Sequence, residues 1–259
     1  MINPPLKWAG GKRYLLPQLK KDLPKFDDYY EPFLGGGALY FGLQLSRRSY
    51  LSDRNRDLIM FYREVRDHPK RFYRLIRKLW DDHSESHYYY IRDRYNETDA
   101  VSKKSAYFYY LNKHGFNGLY RVNKSGKFNV PVGRTKPALP SQQDIGNWSS
   151  ALFKAKLSAK DYTSINPDCG DFVYVNPPYY STYDQYTPGQ FNEQAHIDLS
   201  KWVKTLANEE VYVMLSNSNH PLILDLYKDF NITRVVNRRS ISQDKTQRNN
   251  VEELLIRSF

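Results

Sequence analysis

Apolar positions along the chain follow two rhythms. Short runs of β-branched and aromatic residues bounded by Gly, Pro or Asn alternate with stretches where apolar residues recur every three or four positions. Leu15, Leu16 and Leu19 mark one face of a short helix. Tyr29 to Leu34 runs as a strand into Gly35-Gly36-Gly37 and on into Ala38, Leu39, Phe41, Leu43 and Leu45, which predicts strand, glycine turn and helix. Arg48 to Asp53 reads as a second strand ending in an acid, and Asn55 to Val65 as a helix. Residues 57–113 keep a helical rhythm (Leu58, Phe61, Tyr62, Val65, then Phe72, Leu75, Ile76, Leu79, then Ala106 to Leu111), which predicts three or four helices. In 114–134 the turn residues Asn123-Lys124-Ser125-Gly126 separate two β-like runs, which predicts a hairpin.

From about residue 140 an α/β alternation returns. Phe153, Ala155, Leu157 and Ser158 predict a strand ending near Asp161-Tyr162, and Phe172 to Val175 a buried strand. A helix is expected over Glu193 to Leu206, then a strand over Val211 to Leu215 ending in Ser216-Asn217-Ser218. A helix over Leu222 to Tyr227 and strands over Ile232 to Val236 and Glu253 to Ile256 close the chain. Tyr180 to Phe191 and Arg238 to Asn250 are polar and read as loops, the first mobile without substrate and the second flexible.

With 259 residues the chain allows one large domain, or a domain with an insertion, and a full core. Its net charge of +11 and sequence pI near 9.4 favour an acidic partner, nucleic acid or a membrane surface. Aromatic residues are 15% of the chain and 23 residues are Tyr, so rings interleave with Arg and Lys, which suits stacking bases beside phosphates. Cys169 is the single cysteine. It builds neither a disulfide framework nor a cysteine zinc site, and a reducing, cytoplasmic setting is expected. Met1-Ile2-Asn3-Pro4-Pro5 lacks the apolar h-region of a signal peptide, and no apolar run is long enough to span a bilayer.

The stop after the strand 172–175 carries the most chemistry. Asn176-Pro177-Pro178-Tyr179 ends that strand because proline cannot donate to a ladder. It leaves an amide, a backbone carbonyl and a ring at the carboxyl end of a strand, where open α/β sheets bind ligands. The set suits a flat, amino-bearing ring: the Asn176 side chain and the Pro177 carbonyl accept, and Tyr179 stacks. Taken alone it is equally an ordinary Asn-Pro turn. Gly35-Gly36-Gly37 permits close approach of backbone and cofactor, yet it matches neither Gly-x-Gly-x-x-Gly nor a phosphate-binding Gly-Lys-Ser/Thr loop. Asp53 is placed either to accept from a ribose diol or to cap the helix that follows. Lys7-Trp8-Ala9-Gly10-Gly11-Lys12-Arg13 offers two glycines, a flat ring and charge, or simply a glycine turn before a helix. The hairpin carries Arg121, Lys124, Lys127 and Arg134 beside Phe116, Asn117 and Asn123. Arg can pair with guanine, Asn with adenine, and an aromatic ring can wedge into an opened stack.

These stretches stand in one order. Lys7-Trp8-Ala9-Gly10-Gly11-Lys12, Glu31-Pro32-Phe33-Leu34-Gly35-Gly36-Gly37, Phe116-Asn117-Gly118-Leu119-Tyr120-Arg121-Val122-Asn123 and Asn176-Pro177-Pro178-Tyr179 resemble the Dam-type (D12 class, alpha group) DNA adenine-N6 methyltransferases. Phe128 to Arg134 and Leu215-Ser216-Asn217-Ser218 also look like segments of that family, so the resemblance covers nearly the whole chain. It implies an α/β, Rossmann-like S-adenosylmethionine-dependent methyltransferase fold: a seven-stranded, mostly parallel sheet with helices on both faces. It also implies an inserted helical and β-hairpin target-recognition domain over 57–144, with 1–56 and 145–259 forming the catalytic and cofactor-binding domain.

Carried onto this sequence, the resemblance gives a cofactor site of Trp8, Ala9, Gly10, Lys12, Glu31, Phe33, Gly35, Gly37, Asp53, Asp161, Tyr162 and Asn176. Asp53 would meet the ribose, and Asp161 and Tyr162 the adenine. Lys7, Phe116, Asn117, Leu119, Arg121, Asn123, Lys124, Pro131 and Arg134 would contact double-stranded DNA. Arg121 matches the family's guanine-reading arginine, which makes GATC the expected site. Asn176, Pro177, Pro178 and Tyr179 would be catalytic. The implied reaction moves a methyl group from S-adenosyl-L-methionine to N6 of a flipped adenine and leaves S-adenosyl-L-homocysteine. It needs no metal and no covalent nucleophile, and it is expected of a monomer or a weak dimer on a palindromic site. One position departs from the family, which normally carries Asp where this chain has Asn176; similar amino-methyltransferase families use Asn there. Two further readings stay open: a DNA-binding methyltransferase fold with impaired catalysis, and an RNA or other amino-methyltransferase.

Overall fold

A computed structural model describes residues 2–180, 191–238 and 250–259. The two polar loops expected at 180–191 and 238–250 fall almost wholly outside the described residues. Seven strands form one mixed sheet in the order β3-β2-β1-β4-β5-β7-β6. They are β1 Tyr29–Glu31, β2 Ser49–Ser52, β3 Ala155–Ser158, β4 Phe172–Val175, β5 Tyr212–Ser218, β6 Asn231–Arg238 and β7 Asn250–Arg257. β1 pairs with β4, β2 with β3 and β4 with β5 in parallel. β7 runs antiparallel to both β5 and β6. This is the seven-stranded, mostly parallel α/β sheet that the family resemblance implies.

The chain forms two compact units. The first comprises Met1–Leu16 and Leu34–Lys160, and the second Pro17–Phe33 and Asp161–Phe259. After the short helices α1 Leu16–Lys21 and α2 Ala38–Leu43, the helical stretch of the first unit resolves into α3 Arg56–Asp67, α4 Pro69–Asp81, α5 Glu85–Glu97 and α6 Val101–His114. The starts of α3, α4 and α5 are written in the sequence. The Asn55 side chain accepts from Leu58 N–H at the head of α3, Pro69 stands in the first turn of α4, and the Ser84 side chain accepts from His87 N–H at α5. The apolar stripe of α3, Leu58, Phe61, Tyr62 and Val65, is fully buried, and Phe61 stacks on Tyr109 of α6 at 5.7 Å and 7°.

Three local features differ from the sequence expectation. A further helix, α7 Gln142–Leu152, precedes β3, opened by a capping box of Ser141 and Asp144. Phe153, expected in the strand, is instead 79% exposed between α7 and β3. The stretch 114–134 is a looser hairpin than its rhythm suggests, held by isolated bridges at Gly115–Val132 and Val122–Phe128. Its turn closes on Asn123, whose side-chain oxygen accepts from Ser125 N–H and Lys127 N–H, with Gly126 at a φ of 72°.

In the second unit all four residues of β4 are buried; each apolar side chain contributes roughly 1.5–3 kcal/mol by leaving water. α8 Glu193–Asn208 starts on an Asn192 cap and packs on β5. The carboxyl ends of β1 and β4 lie side by side because those strands are parallel neighbours, and in such sheets a ligand site forms at these ends.

Candidate active site and nucleic-acid interface

At the end of β4 the Asn176 side chain is half-buried, Pro177 is buried and Pro178 is exposed. The Ser216 hydroxyl, fully buried on β5, donates to Asn176 Oδ1 at 2.9 Å. Tyr174 Oη lies 3.3 Å from Ser216 Oγ. Serine has a single hydrogen to give, so the tyrosine donates in turn and the order runs Tyr174 to Ser216 to Asn176. Tyr179 donates its hydroxyl to Glu253 Oε2 at 2.8 Å. Burial, then the Glu253 carboxylate, raise the Tyr179 phenol well above its ordinary range, so it stays a donor. The next residue is fixed too: Tyr180 N–H donates to Asn217 Oδ1, and Ser218 Oγ donates to Tyr180 O.

The end of β1 contributes Glu31 and Phe33. Glu31 is buried and accepts from the Tyr29 hydroxyl at 2.7 Å. Phe33 stacks on Tyr162 at 5.4 Å and 25°, and Tyr162 meets Trp202 edge-on. Asp161 caps a short turn, accepting from Thr163 N–H and Oγ1–H.

In the first unit the glycine turn and Asp53 form one latch. Asp53 Oδ2 accepts from Gly35 N–H at 3.0 Å and Oδ1 from Asn55 N–H at 2.9 Å. Asn55, not Asp53, caps α3. Burial raises the Asp53 carboxyl above its usual range, and the two N–H donors partly offset this. The glycines at this turn admit Trp8: a Cβ on Gly35 would sit 2.8 Å from Trp8 Cδ1 and one on Gly36 3.0 Å from Trp8 Cβ. Gly37, at a φ of 64°, starts α2 Ala38–Leu43 in the left-handed region that glycine adopts without strain. Trp8 also stacks on Tyr120 at 5.9 Å. Lys12 is buried, whereas Ala9 and Gly10 are exposed.

The hairpin presents Asn117, Leu119, Arg121, Asn123, Lys124, Pro131 and Arg134 to solvent, with Phe116 half-buried. Asn117 and Gly118 both take left-handed backbones. Lys7 is brought against this stretch: a Cβ on Gly118 would lie 2.4 Å from Lys7 Cβ. Asn112 clamps the two, accepting from Lys7 N–H at 2.9 Å and donating to Lys7 O and Gly118 O. The Arg121 guanidinium is oriented by Asn129, through Nε to Oδ1 at 2.8 Å and Nη2 to the backbone O at 3.2 Å. Two of the five guanidinium N–H groups serve that purpose.

Five residues that contact these candidate side chains were not singled out in the sequence: Asn112, Tyr120, Asn129, Ser216 and Glu253. Tyr120, Asn129 and Ser216 stand inside the motifs quoted and Glu253 opens an expected strand, but nothing local marks what they touch. Among the described residues no group of His, Cys, Asp or Glu could hold a metal ion, and no helix is long and apolar enough to cross a membrane.

Residues 8–241 match the family model of the D12 class N6 adenine-specific DNA methyltransferases. The chain is 35% identical over 273 residues to the type II methyltransferase M1.LlaDCHI of Lactococcus lactis subsp. cremoris, covering 100% of this chain and 96% of that protein. It is 36% identical over 288 residues to the type II methyltransferase M.MjaIII of Methanocaldococcus jannaschii, covering 100% and 99%. It is 31% identical over 259 residues to the DNA adenine methylase of Escherichia coli K12, covering 96% and 93%. The chain belongs to the D12 class N6 adenine-specific DNA methyltransferase family.

Proposed function

We propose that this protein methylates N6 of adenine in duplex DNA within GATC, using S-adenosylmethionine and acting on a base turned out of the helix. Family membership supports adenine methylation of DNA. The observation that carries the chemistry is the Asn176 amide, held by Ser216 at the end of β4. An adenine N6 lone pair is delocalised into the ring, so the amine is a poor nucleophile. The Asn176 side-chain oxygen and the Pro177 carbonyl accept its two hydrogens, which draws nitrogen towards tetrahedral geometry and localises the pair. An amide oxygen accepts two hydrogen bonds, so Ser216 and N6 can share Asn176 Oδ1. Tyr179 stacks on the ring. N6 loses one proton to solvent as it becomes methylated, and the acceleration comes from positioning and electrostatics.

Each unit by itself offers groups whose chemistry suits the cofactor. Each Asp53 oxygen takes one backbone N–H and has capacity for a ribose hydroxyl. Phe33 and Tyr162 supply aromatic surface for its adenine. Trp8, Ala9, Gly10, Lys12, Glu31, Gly37 and Asp161 complete the proposed set. When bound, S-adenosylmethionine supplies an electrophilic sulfonium methyl group.

Residues 57–144 serve as the recognition domain in this reading, and 1–56 with 145–259 as the catalytic one. Arg121 reads guanine, and Lys7, Phe116, Asn117, Leu119, Asn123, Lys124, Pro131 and Arg134 position the duplex. The protein works as a monomer or a weak dimer on the palindrome. The test is transfer of labelled methyl groups to duplexes that contain GATC, to duplexes in which it is scrambled, and to RNA of the same sequence. Label confined to GATC duplexes is expected; equal labelling of scrambled DNA removes the site assignment, and labelling of RNA removes the substrate assignment.

A further inference from the structure

We propose that Glu253 is a positioning residue: it holds the Tyr179 ring in the plane that stacks on the target base. The inference rests on the reading above, in which Tyr179 meets the flipped adenine.

Glu253 lies inside the sheet, opposite Ser218 of β5 and Val235 of β6. It is 7% exposed and is followed by buried Leu254, Leu255 and Ile256. A carboxyl group in such a run is costly unless it is hydrogen-bonded. Its Oε2 accepts the Tyr179 hydroxyl at 2.8 Å. Tyr179 is therefore tied at both ends. Its backbone follows Pro177 and Pro178, whose rings fix φ, and its hydroxyl is fastened at the far end of the ring. Only two side-chain torsions lie between, so the hydrogen bond sets the ring plane.

The anchor stands beside the strand that holds the amide. Glu253 of β7 pairs with Ser218 of β5, two residues on from the Ser216 that donates to Asn176. The stacking ring and the N6 acceptor are thus fastened to two neighbouring strands of one sheet.

The test uses the whole protein and four variants: Glu253→Ala, Glu253→Gln, Tyr179→Phe and the double variant Tyr179→Phe/Glu253→Ala. Single-turnover methyl transfer, cofactor affinity and the emission of 2-aminopurine at the target position are measured. Glu253→Ala is expected to slow transfer on the order of 10- to 100-fold, the cost of a misplaced reacting group, with cofactor affinity unchanged. Glu253→Gln keeps an acceptor and restores most of the rate. In the Tyr179→Phe background, Glu253→Ala adds no further loss. The 2-aminopurine emission rises in Glu253→Ala, because a loosened ring stacks less and quenches less.

Transfer by Glu253→Ala at the wild-type rate, or losses that multiply in the double variant, overturns the proposal. Should Glu253→Ala fail to fold, Tyr179→Phe is compared with Tyr179→Phe/Glu253→Gln: equal rates support the role and a further drop overturns it. A wild-type protein that methylates no DNA sinks the functional reading itself, an outcome separate from any of these.

Discussion

Ser216 Oγ donates to Asn176 Oδ1 at 2.9 Å, across 40 residues of chain. That contact holds the amide by its oxygen, the atom that in the proposed reaction also accepts from the base. With its hydrogen given to Asn176, Ser216 accepts from Tyr174 behind it, and all three groups lie on or at the ends of the neighbouring strands β4 and β5.

Ser216→Ala removes that orientation while keeping the fold of β5. Turnover is expected to fall about 5- to 10-fold, corresponding to roughly 1 kcal/mol for one hydrogen bond. Cofactor affinity, measured by equilibrium titration, stays unchanged. A variant with wild-type turnover would mean the amide is oriented by other means.

Asn176→Asp is expected to keep or raise the turnover number. A carboxylate accepts from Ser216 and N6 as the amide does, and it also stabilises positive charge growing on N6 in the transition state. Asn176→Ala, which deletes the acceptor, is expected to cost on the order of 100-fold. The assay is steady-state methyl transfer with DNA binding measured in parallel. A large loss for Asn176→Asp with binding intact contradicts the role.

Asp53→Asn probes the latch to the glycine turn. An amide has one oxygen where the carboxylate has two, so either Gly35 N–H or Asn55 N–H loses its acceptor. The cost is about 1 kcal/mol, and it is opposed by removal of a buried charge. Little change in melting temperature is therefore expected alongside a fall of about 10-fold or more in cofactor affinity, since a ribose diol prefers a carboxylate acceptor. The pH dependence has a defined sign. Burial raises the Asp53 carboxyl above the ordinary 3.8, so the folded state holds the proton more tightly than the unfolded chain. This group's contribution to stability is largest below 3.8, declines as pH rises through its folded value, and is absent in Asp53→Asn. Denaturant unfolding across acidic pH reads that slope, and an Asp53→Asn variant with undiminished cofactor affinity would remove the ribose role.

Much of this was legible from local rhythm. α3, β4 and α8 fall within a few residues of their expected bounds, because buried apolar stripes and capping side chains are local signals. Rhythm misses α7, although Ser141 and Asp144 spell its capping box, because its buried Ile145, Trp148 and Leu152 are sparse among polar residues. The hairpin was visible as turn chemistry at Asn123 but not as a ladder, since its strands pair only at isolated bridges. The candidate site residues are legible as motifs, whereas the residues that contact them are not. Asn112 stands 105 residues from Lys7 and Glu253 stands 74 from Tyr179, and such partners are created by folding alone.

Arg121→Ala is expected to relax discrimination at one base of the site, by roughly 1–3 kcal/mol. Asn129→Ala, which frees the guanidinium from its side-chain anchor, should give a smaller loss at the same base. Lys124→Ala should weaken binding evenly across sequences and lower the salt dependence by about one counterion. Methylation rates on duplexes differing at single positions separate these outcomes. An even loss for Arg121→Ala across all sequences would reassign it to the phosphate backbone.

The central claim is the identity of the methylated atom. Plasmid DNA incubated with the protein and S-adenosylmethionine, then digested to nucleosides and separated by mass spectrometry, reports it directly. The expected product is N6-methyldeoxyadenosine, rising to one per GATC strand and absent from DNA lacking that sequence. Methyl groups on cytosine, or no methylated nucleoside despite cofactor and DNA binding, would contradict the account.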